Sequence, residues 1–417
     1  MFDNQIRQRN SIEGEAESDL QTVARVNKYD YAVLGAGRQG TAAAYDMAKF
    51  GNARKIVLGD IDSRLAKKAA NRVNALCERK VAEGVRVDVR RPAQVKRFLT
   101  GIDAFLSAVP YYYNLEVANA AIRARASMCD LGGHTGIVRK QLLLDQQAKD
   151  AGISIVPDCG LGPGMGTSLA CYGMDFLDEP REVYIWEGGL PQNPRPPFNY
   201  LMTFNFEGLV NEYSGTAVFL RGGEIVEVPC IDELEFVDFP LPLGRLEAFT
   251  TSGGTSTCPS TFKGKLKVFQ NKTLRYPGSF AQLRTMRDLG LFSDKELTID
   301  GAKIVPRRVL QALFEPKIRL LGEKDVVALR VRCVGEKNKQ EAELVLDVVD
   351  FYDDETQFTA MERTTGWHAS IVAIMMAQGQ TPRGAKPLEI AVPGDSFVKQ
   401  LKRRGIRLAE RTSWPHA

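Results

Sequence analysis

Tyr31-Ala32-Val33-Leu34-Gly35-Ala36-Gly37-Arg38-Gln39-Gly40 carries an apolar run into three spaced glycines. An alanine-rich helical pattern, Thr41 to Lys49, follows. A second apolar run, Lys55-Ile56-Val57-Leu58-Gly59, then ends in Asp60. Strand, glycine turn, helix, strand and acid, in that order, form the context in which G-x-G-x-x-G binds a dinucleotide. Gly35 permits the tight turn, Gly37 leaves room for a pyrophosphate against the backbone, and Gly40 lets the helix approach the strand. The pyrophosphate is expected on the free N–H groups of the first helical turn, around Arg38 and Gln39, where the helix dipole is positive. Asp60 is placed to accept hydrogen bonds from ribose hydroxyls and to repel a 2′-phosphate, which indicates NAD ahead of NADP. Arg64, on the next helix, could meet such a phosphate but reads as a solvated helix-face charge.

The rest of the composition narrows the class. A chain of 417 residues can bury the cores of two domains. Its 44% hydrophobic and 25% charged residues are ordinary for a globular protein. A net charge of +4, dispersed, gives no electrostatic footprint for nucleic acid. The seven cysteines are scattered, with no C-x-x-C pair, so neither a metal site nor a disulfide framework is expected. Reduced thiols point to a cytoplasmic setting. No apolar run reaches membrane-spanning length, and no basic-then-apolar leader opens the chain.

Beyond a polar extension over residues 1–28, strand and helix patterns alternate. Strands are expected at Val85–Val89, Ala104–Val109, Ser127–Leu131 and Ile153–Val156. Helices are expected at Ser63–Glu78, Leu115–Arg125, Ile137–Lys149 and Thr167–Phe176. This alternation predicts an α/β fold: a doubly wound parallel Rossmann sheet over residues 29–178. From about Pro180 the pattern shifts to β-branched and aromatic alternation with glycine turns. That predicts a second α+β domain on a mixed or antiparallel sheet, residues 179–355, for substrate binding and dimerisation. A helix at Ile371–Ala377 places residues 356–417 back on the first domain.

Ligands bind such a parallel sheet beyond the carboxyl ends of its strands. That rule selects Ala108-Val109-Pro110 for the cofactor, and the loops Asp130–Thr135 and Asp158–Gly164 for chemistry. His134 can exchange a proton near neutral pH, or be a structural histidine bonded to a loop carbonyl. Asp158 can orient a base or meet an ammonium group, or simply cap its turn. Asp130, which opens the His134 loop, is the third acid–base candidate. Thr135 and Gly164 are candidate substrate contacts. Cys159 has no activating base nearby in sequence and reads as a packed residue. His368 reads as a packing residue and His416 as a tail residue. In the second domain, Glu212, Tyr213 and Arg275 could bind the ammonium and carboxylate of an amino acid, or pair with one another internally.

Several of these stretches together carry a resemblance: Gly35–Gly40, D-L-G-G-H-T-G from Asp130, P-D-C-G-L-G-P-G-M from Pro157, G-G-L-P from Gly188, N-E-Y from Asn211, T-L-R-Y-P-G from Thr273 and R-T-T-G from Arg363. Over residues 29 to 405 the chain resembles the saccharopine dehydrogenase-like oxidoreductases and, within them, the L-lysine 6-dehydrogenases. The resemblance implies a Rossmann domain, a dimerising second domain, a small amino-acid or amine substrate, and NAD-linked chemistry at a C–N bond. The reaction so implied is oxidative deamination of the L-lysine side-chain amine to the semialdehyde. Two alternatives stand beside it: a reductase joining an amine to a carbonyl compound, of saccharopine or carboxyspermidine type, and a non-enzymatic NAD-binding protein. Lysine dehydrogenases tend to carry histidine after R-Y-P-G, where this chain has Ser279, and that departure keeps the alternatives open.

Overall fold

The computed structural model describes residues 28–320 and 322–414. The expected extension, apart from Lys28, and His416 lie outside the described residues. The first sheet holds β1 (Tyr29–Leu34), β2 (Ala53–Asp60), β3 (Ala82–Arg86), β4 (Ala104–Ser107), β5 (Ser127–Asp130), β6 (Ser154–Val156) and β17 (Gly384–Ala385). Their order is β17-β6-β5-β4-β1-β2-β3, and every pairing is parallel. The chain reverses direction across the sheet between β1 and β4, the crevice where such folds take their ligands. Both faces are covered, which is why these strands read as unbroken apolar runs. Tyr31 and Val33 pack into one core layer, Ala32 and Leu34 into the other.

The helices on this sheet are α1 (Arg38–Phe50), α2 (Ser63–Leu76), α3 (Pro92–Leu99), α4 (Asn114–Ala124), α5 (Thr135–Leu142) and α6 (Asp145–Asp150). Three expectations need correction. The third strand starts three residues earlier than its apolar pattern indicated. Gly84 lies in it because a Cβ there would fall 2.3 Å from the Ala66 backbone of α2. α3, with Pro92 in its first turn, was not anticipated. The single helix expected over Ile137–Lys149 is two, broken where Leu143 turns outward and Leu144 turns into the core.

α7 (Met165–Phe176) leads into the second sheet. Its central strands are β7 (Glu179–Pro191), β12 (Val268–Arg275), β15 (Asp325–Lys337) and β16 (Gln340–Phe351). With β10 (Glu235–Asp238), β11 (Arg245–Thr250) and β18 (Ala409–Ser413), the order is β10-β11-β12-β7-β15-β16-β18, and the β8–β9 hairpin (Thr216–Arg221, Glu224–Pro229) lies beside β12. β7 and β12 run parallel and the other pairs antiparallel, so the sheet is mixed. α7, which follows the loop at the end of β6, lies against β7 and β15 and so joins that end of the first sheet to the second.

The C-terminal segment does more than cover the first domain. α12 (Trp367–Ala377) packs on α1, β4 and β5, and β17 extends the parallel sheet. The last strand, β18 (Ala409–Ser413), crosses to the mixed sheet. Arg404 reaches α1, where its guanidinium donates to both oxygens of Asp46 at 2.8–2.9 Å, with both side chains completely buried. All seven cysteines are free thiols. No helix among the described residues is long and apolar enough to cross a membrane.

Candidate active site

The glycine turn shows what each of its residues is for. Gly35 has φ +96°, and a Cβ on it would sit 2.5 Å from the carbonyl oxygen of Ala108. The turn after β1 and the end of β4 are therefore in close contact, which brings Ala108, Val109 and Pro110 to the crevice. A Cβ on Gly40 would lie 2.0 Å from the Gly35 carbonyl oxygen and 2.9 Å from Val33 Cγ1, so α1 packs tightly on β1. Gly37 is exposed, and a Cβ there would meet nothing within 4 Å. That open space lies at the N-terminal turn of α1. Beside it, Gln39 Oε1 is buried without a hydrogen-bond partner. Open backbone, free helical N–H groups and an orphaned acceptor fit a dinucleotide phosphate and amide.

The contrast gives a prediction. Gly40→Ala should destabilise the fold by about 1–3 kcal/mol, because backbone has to move. Gly37→Val should leave the melting temperature near that of the parent but weaken dinucleotide binding, read by fluorescence titration. Equal melting temperatures for the two variants would contradict these assignments.

Asp60 holds this turn. Its carboxylate accepts the N–H of Ala36 at 2.9 Å and that of Asp62 at 2.9 Å. Arg38 donates from Nε to Glu362 Oε1 at 2.9 Å, tying the C-terminal segment to the glycine turn. Arg64 is highly exposed and paired with Asp62.

The two chemistry loops sit beside one another at the sheet's carboxyl edge. His134 caps α5, is exposed, and stacks on Tyr111 with ring centroids 5.4 Å apart. Thr135 follows it as the first residue of that helix. Asp130 is completely buried. One oxygen accepts the Gly132 N–H at 2.8 Å and the other accepts from Gln141 Nε2 at 2.7 Å. Asp130 thus fastens the His134 loop from beneath and presents no oxygen to the crevice, which corrects its reading as an acid–base group. Gly164, at φ +150°, is buried and packs against Gly160 with no room for a Cβ, so it shapes the second loop from within.

Asp158 stands apart. It is buried and has φ +67°, a left-handed conformation that aspartate tolerates better than most residues. Its Oδ2 accepts the Ser256 hydroxyl at 2.5 Å, across the domain boundary. Its Oδ1 is buried and has no partner. Burial pushes this carboxyl up to about 8; the Ser256 bond opposes the shift, and the neighbouring acids Asp130 and Glu389 add to it. A carboxyl with one unpaired oxygen and a titration near neutrality is equipped to take or give a proton.

Sequence reading missed a second acid of this kind. Glu187, on β7, shares the buried face of Val183 and Ile185. Its Oε1 accepts from Asn271 Nδ2 at 2.6 Å, while Oε2 is buried and unpaired. Burial pushes it up to about 7, against the Asn271 bond and with Glu212 adding. An acid in phase with two buried apolar residues was the signal. Ser256, inside a polar turn, offered none.

The second-domain motifs divide. Asn211 Nδ2 donates to the Gly133 carbonyl at 2.8 Å, docking its helix on the His134 loop. Arg275 is buried. It donates to Tyr213 Oη at 2.8 Å, Tyr200 Oη at 3.5 Å, Glu212 Oε1 at 3.2 Å and the Leu274 carbonyl at 2.7 Å. The internal pairing is therefore what forms, and Arg275 and Tyr213 are not available to a substrate carboxylate. Only Glu212 keeps a half-buried face. His368 is buried against Ser168 Oγ at 2.9 Å, and desolvation lowers it to about 4, so it is a neutral packing residue. Cys159 is buried with its thiol pushed well up by burial, which removes it as a nucleophile.

Fold and site together define a two-domain protein with a dinucleotide cradle and a buried acid at the domain junction. Residues 31–156 match the saccharopine dehydrogenase NADP binding domain, and residues 160–406 match the saccharopine dehydrogenase C-terminal domain. The chain belongs to the saccharopine dehydrogenase family. It is 24% identical over 254 residues, 58% of this chain and 55% of the relative, to saccharopine dehydrogenase [NADP(+), L-glutamate-forming] of Pyricularia oryzae. It is 21% identical over 319 residues, 74% of this chain and 65% of the relative, to the Schizosaccharomyces pombe protein of the same description. It is 25% identical over 205 residues, 46% of this chain but 21% of the relative, to the mitochondrial alpha-aminoadipic semialdehyde synthase of Bos taurus. The chain thus spans little more than half of the first of these relatives. The apo saccharopine dehydrogenase (L-Glu forming) of Saccharomyces cerevisiae shares the fold, with a TM-score of 0.75 at 18% identity, covering 92% of this chain and 100% of that one.

Proposed function

We propose that this chain is an NAD-dependent oxidoreductase acting at a C–N bond, and that oxidative deamination of the L-lysine side-chain amine is the reaction its site supports best. The observation that carries the reading is the unpaired buried oxygen of Asp158 at the sheet's ligand edge. A dinucleotide would be held by the turn Gly35–Gly40, by Asp60 and by the end of β4; when bound, it supplies the hydride acceptor. Asp158 Oδ1 takes a proton from the substrate ammonium, freeing the nitrogen lone pair that an imine needs. Ser256 fixes the other oxygen, so the base has one orientation. His134, exposed above the loop, can activate the water that adds to the imine carbon; ammonia leaves and the semialdehyde remains.

Charge supports an amine as substrate. Asp158, Glu187 and Glu212 are acids, and Arg275 is already engaged by its tyrosines and Glu212. The relatives' names support a second reading, the joining or cleavage of an amino acid and a carbonyl compound at a secondary amine. Those names also specify NADP(+). The NAD preference rests on this chain's own residues: a 2′-phosphate would face Asp60 and Asp62, and the nearby Arg64 is bound to Asp62.

Steady-state assays test the proposal. L-lysine with NAD should give NADH, with kcat/KM at least about 10-fold higher than with NADP, the discrimination expected of one charged contact. Turnover of L-saccharopine but not of L-lysine would favour the second reading. NAD binding without turnover of either compound would favour a non-enzymatic role.

A further inference from the structure

Glu187 is the buried acid that the proton chemistry above leaves unused. It lies on the central strand of the second sheet and is 7% exposed. No described cation pairs with it. A buried carboxylate without a counter-charge is costly unless something else compensates it. Its surroundings are shaped around it. A Cβ on Gly162 would fall 1.7 Å from Oε1, and one on Gly166 would fall 3.0 Å from Oε2, so the loop after β6 and the first turn of α7 can approach this carboxyl only because both residues are glycine. Asn271 holds Oε1 and itself fits against Gly254, in the same polar turn that sends Ser256 to Asp158. The loop from Asp158 to Gly164 therefore carries one acid and lies against the other, while the turn from Thr251 to Thr257 bonds Asp158 directly and reaches Glu187 through Asn271. One end of this junction carries the proton-transferring carboxyl. The other carries a fixed carboxyl whose remaining oxygen has no partner. Glu212, itself paired with Arg275, lies close enough to Glu187 to add to the upward shift that burial gives it.

We propose that Glu187 is a specificity-determining residue whose unpaired oxygen binds the non-reacting α-ammonium group of an amino-acid substrate. The proposal rests on the amino-acid C–N reading and adds which residue selects the second cationic group. Asn271 is the positioning residue, since it fixes one carboxyl oxygen and leaves the other for the ligand. Gly162 in the loop and Gly166 in α7 leave the carboxyl its space.

The test is equilibrium binding by titration calorimetry with NADH present, using L-lysine, L-saccharopine and 6-aminohexanoate, which is lysine without its α-ammonium. The parent protein should bind L-lysine at least about 10-fold more tightly than 6-aminohexanoate, the range of a charge-assisted hydrogen bond. Glu187→Gln keeps the size and the Asn271 contact, and should bring that ratio to near one while 6-aminohexanoate affinity is little changed. Gly162→Ala, which pushes a methyl group into the carboxyl, should erode the same ratio and serves if Glu187→Gln does not fold. An unchanged ratio in a folded variant overturns the proposal even if lysine is turned over. Weakening of L-saccharopine alone supports Glu187 while removing the lysine reaction. Failure of the parent to bind any of the three overturns both.

Discussion

Asp158→Asn is expected to lower kcat by about 10²–10⁴-fold, the usual contribution of a positioned acid–base group. Asparagine keeps the volume and can still accept the Ser256 hydroxyl through its carbonyl, so the loop should hold. What it lacks is the capacity to take a proton. Two further measurements separate this role from a structural one. In the parent, a base that titrates at about 8 should make activity rise with pH and level off above that value, and the variant should lose this limb. The stability effect runs in the opposite sense. The carboxyl's folded pKa of about 8 lies above its ordinary value of 3.8, so the unfolded chain ionises first as pH rises. The parent should lose stability progressively through that window, with the loss complete above about 8. Asp158→Asn removes this term, so its melting temperature should fall less on going from neutral to alkaline pH. A variant with kcat within threefold of the parent, or with an unaltered pH limb, would end the assignment of Asp158 as the base.

The same residue shows how far the sequence could be read. The loop that contains Asp158 was visible, because the strand pattern places it at the sheet's carboxyl edge. Its environment was not. The Ser256 contact comes from a residue 98 positions away, and the unpaired oxygen is a property of packing. The glycine turn was legible for a different reason. Its function is backbone geometry, which the residue types and spacing dictate locally. Asp130 and Asp158 open similar glycine-rich loops, yet only the fold distinguishes them: Gln141 and the Gly132 N–H occupy one, and nothing occupies half of the other. Arg275 stayed open in the sequence between a substrate carboxylate and an internal pair, because a lone arginine in such a motif does not announce its partners. Tyr200, Tyr213 and Glu212 reach it only after the second sheet has formed. For Asp158 and Arg275 the missing information was long-range pairing; for Asp130 it was how a local loop folds back on its own acid.

Arg404→Met should produce the largest loss of stability, about 3–5 kcal/mol, the range for removing one partner of a buried ion pair. Asp46 would remain in α1 with no cation, and the Ser370 hydroxyl alone cannot compensate a completely buried carboxylate. The pair joins the helix that opens the dinucleotide cradle to the C-terminal segment, which also supplies Glu362 to Arg38 at the other end of that helix. The two contacts act on the same pair of segments, but only the second is near the ligand. Arg404→Met should therefore lower the urea midpoint strongly while leaving NADH affinity, measured well below the transition, within a few-fold of the parent. Glu362→Gln should show the reverse balance, with a small change in midpoint and a measurable change in dinucleotide affinity. Asp46→Leu combined with Arg404→Met, which removes both charges and keeps the volume apolar, should recover most of the lost stability, since a buried pair replaced as a unit is often neutral. If the double variant is no more stable than Arg404→Met alone, the unpaired charge is not the cause, and the guanidinium's other bonds, to Gln400, would have to be.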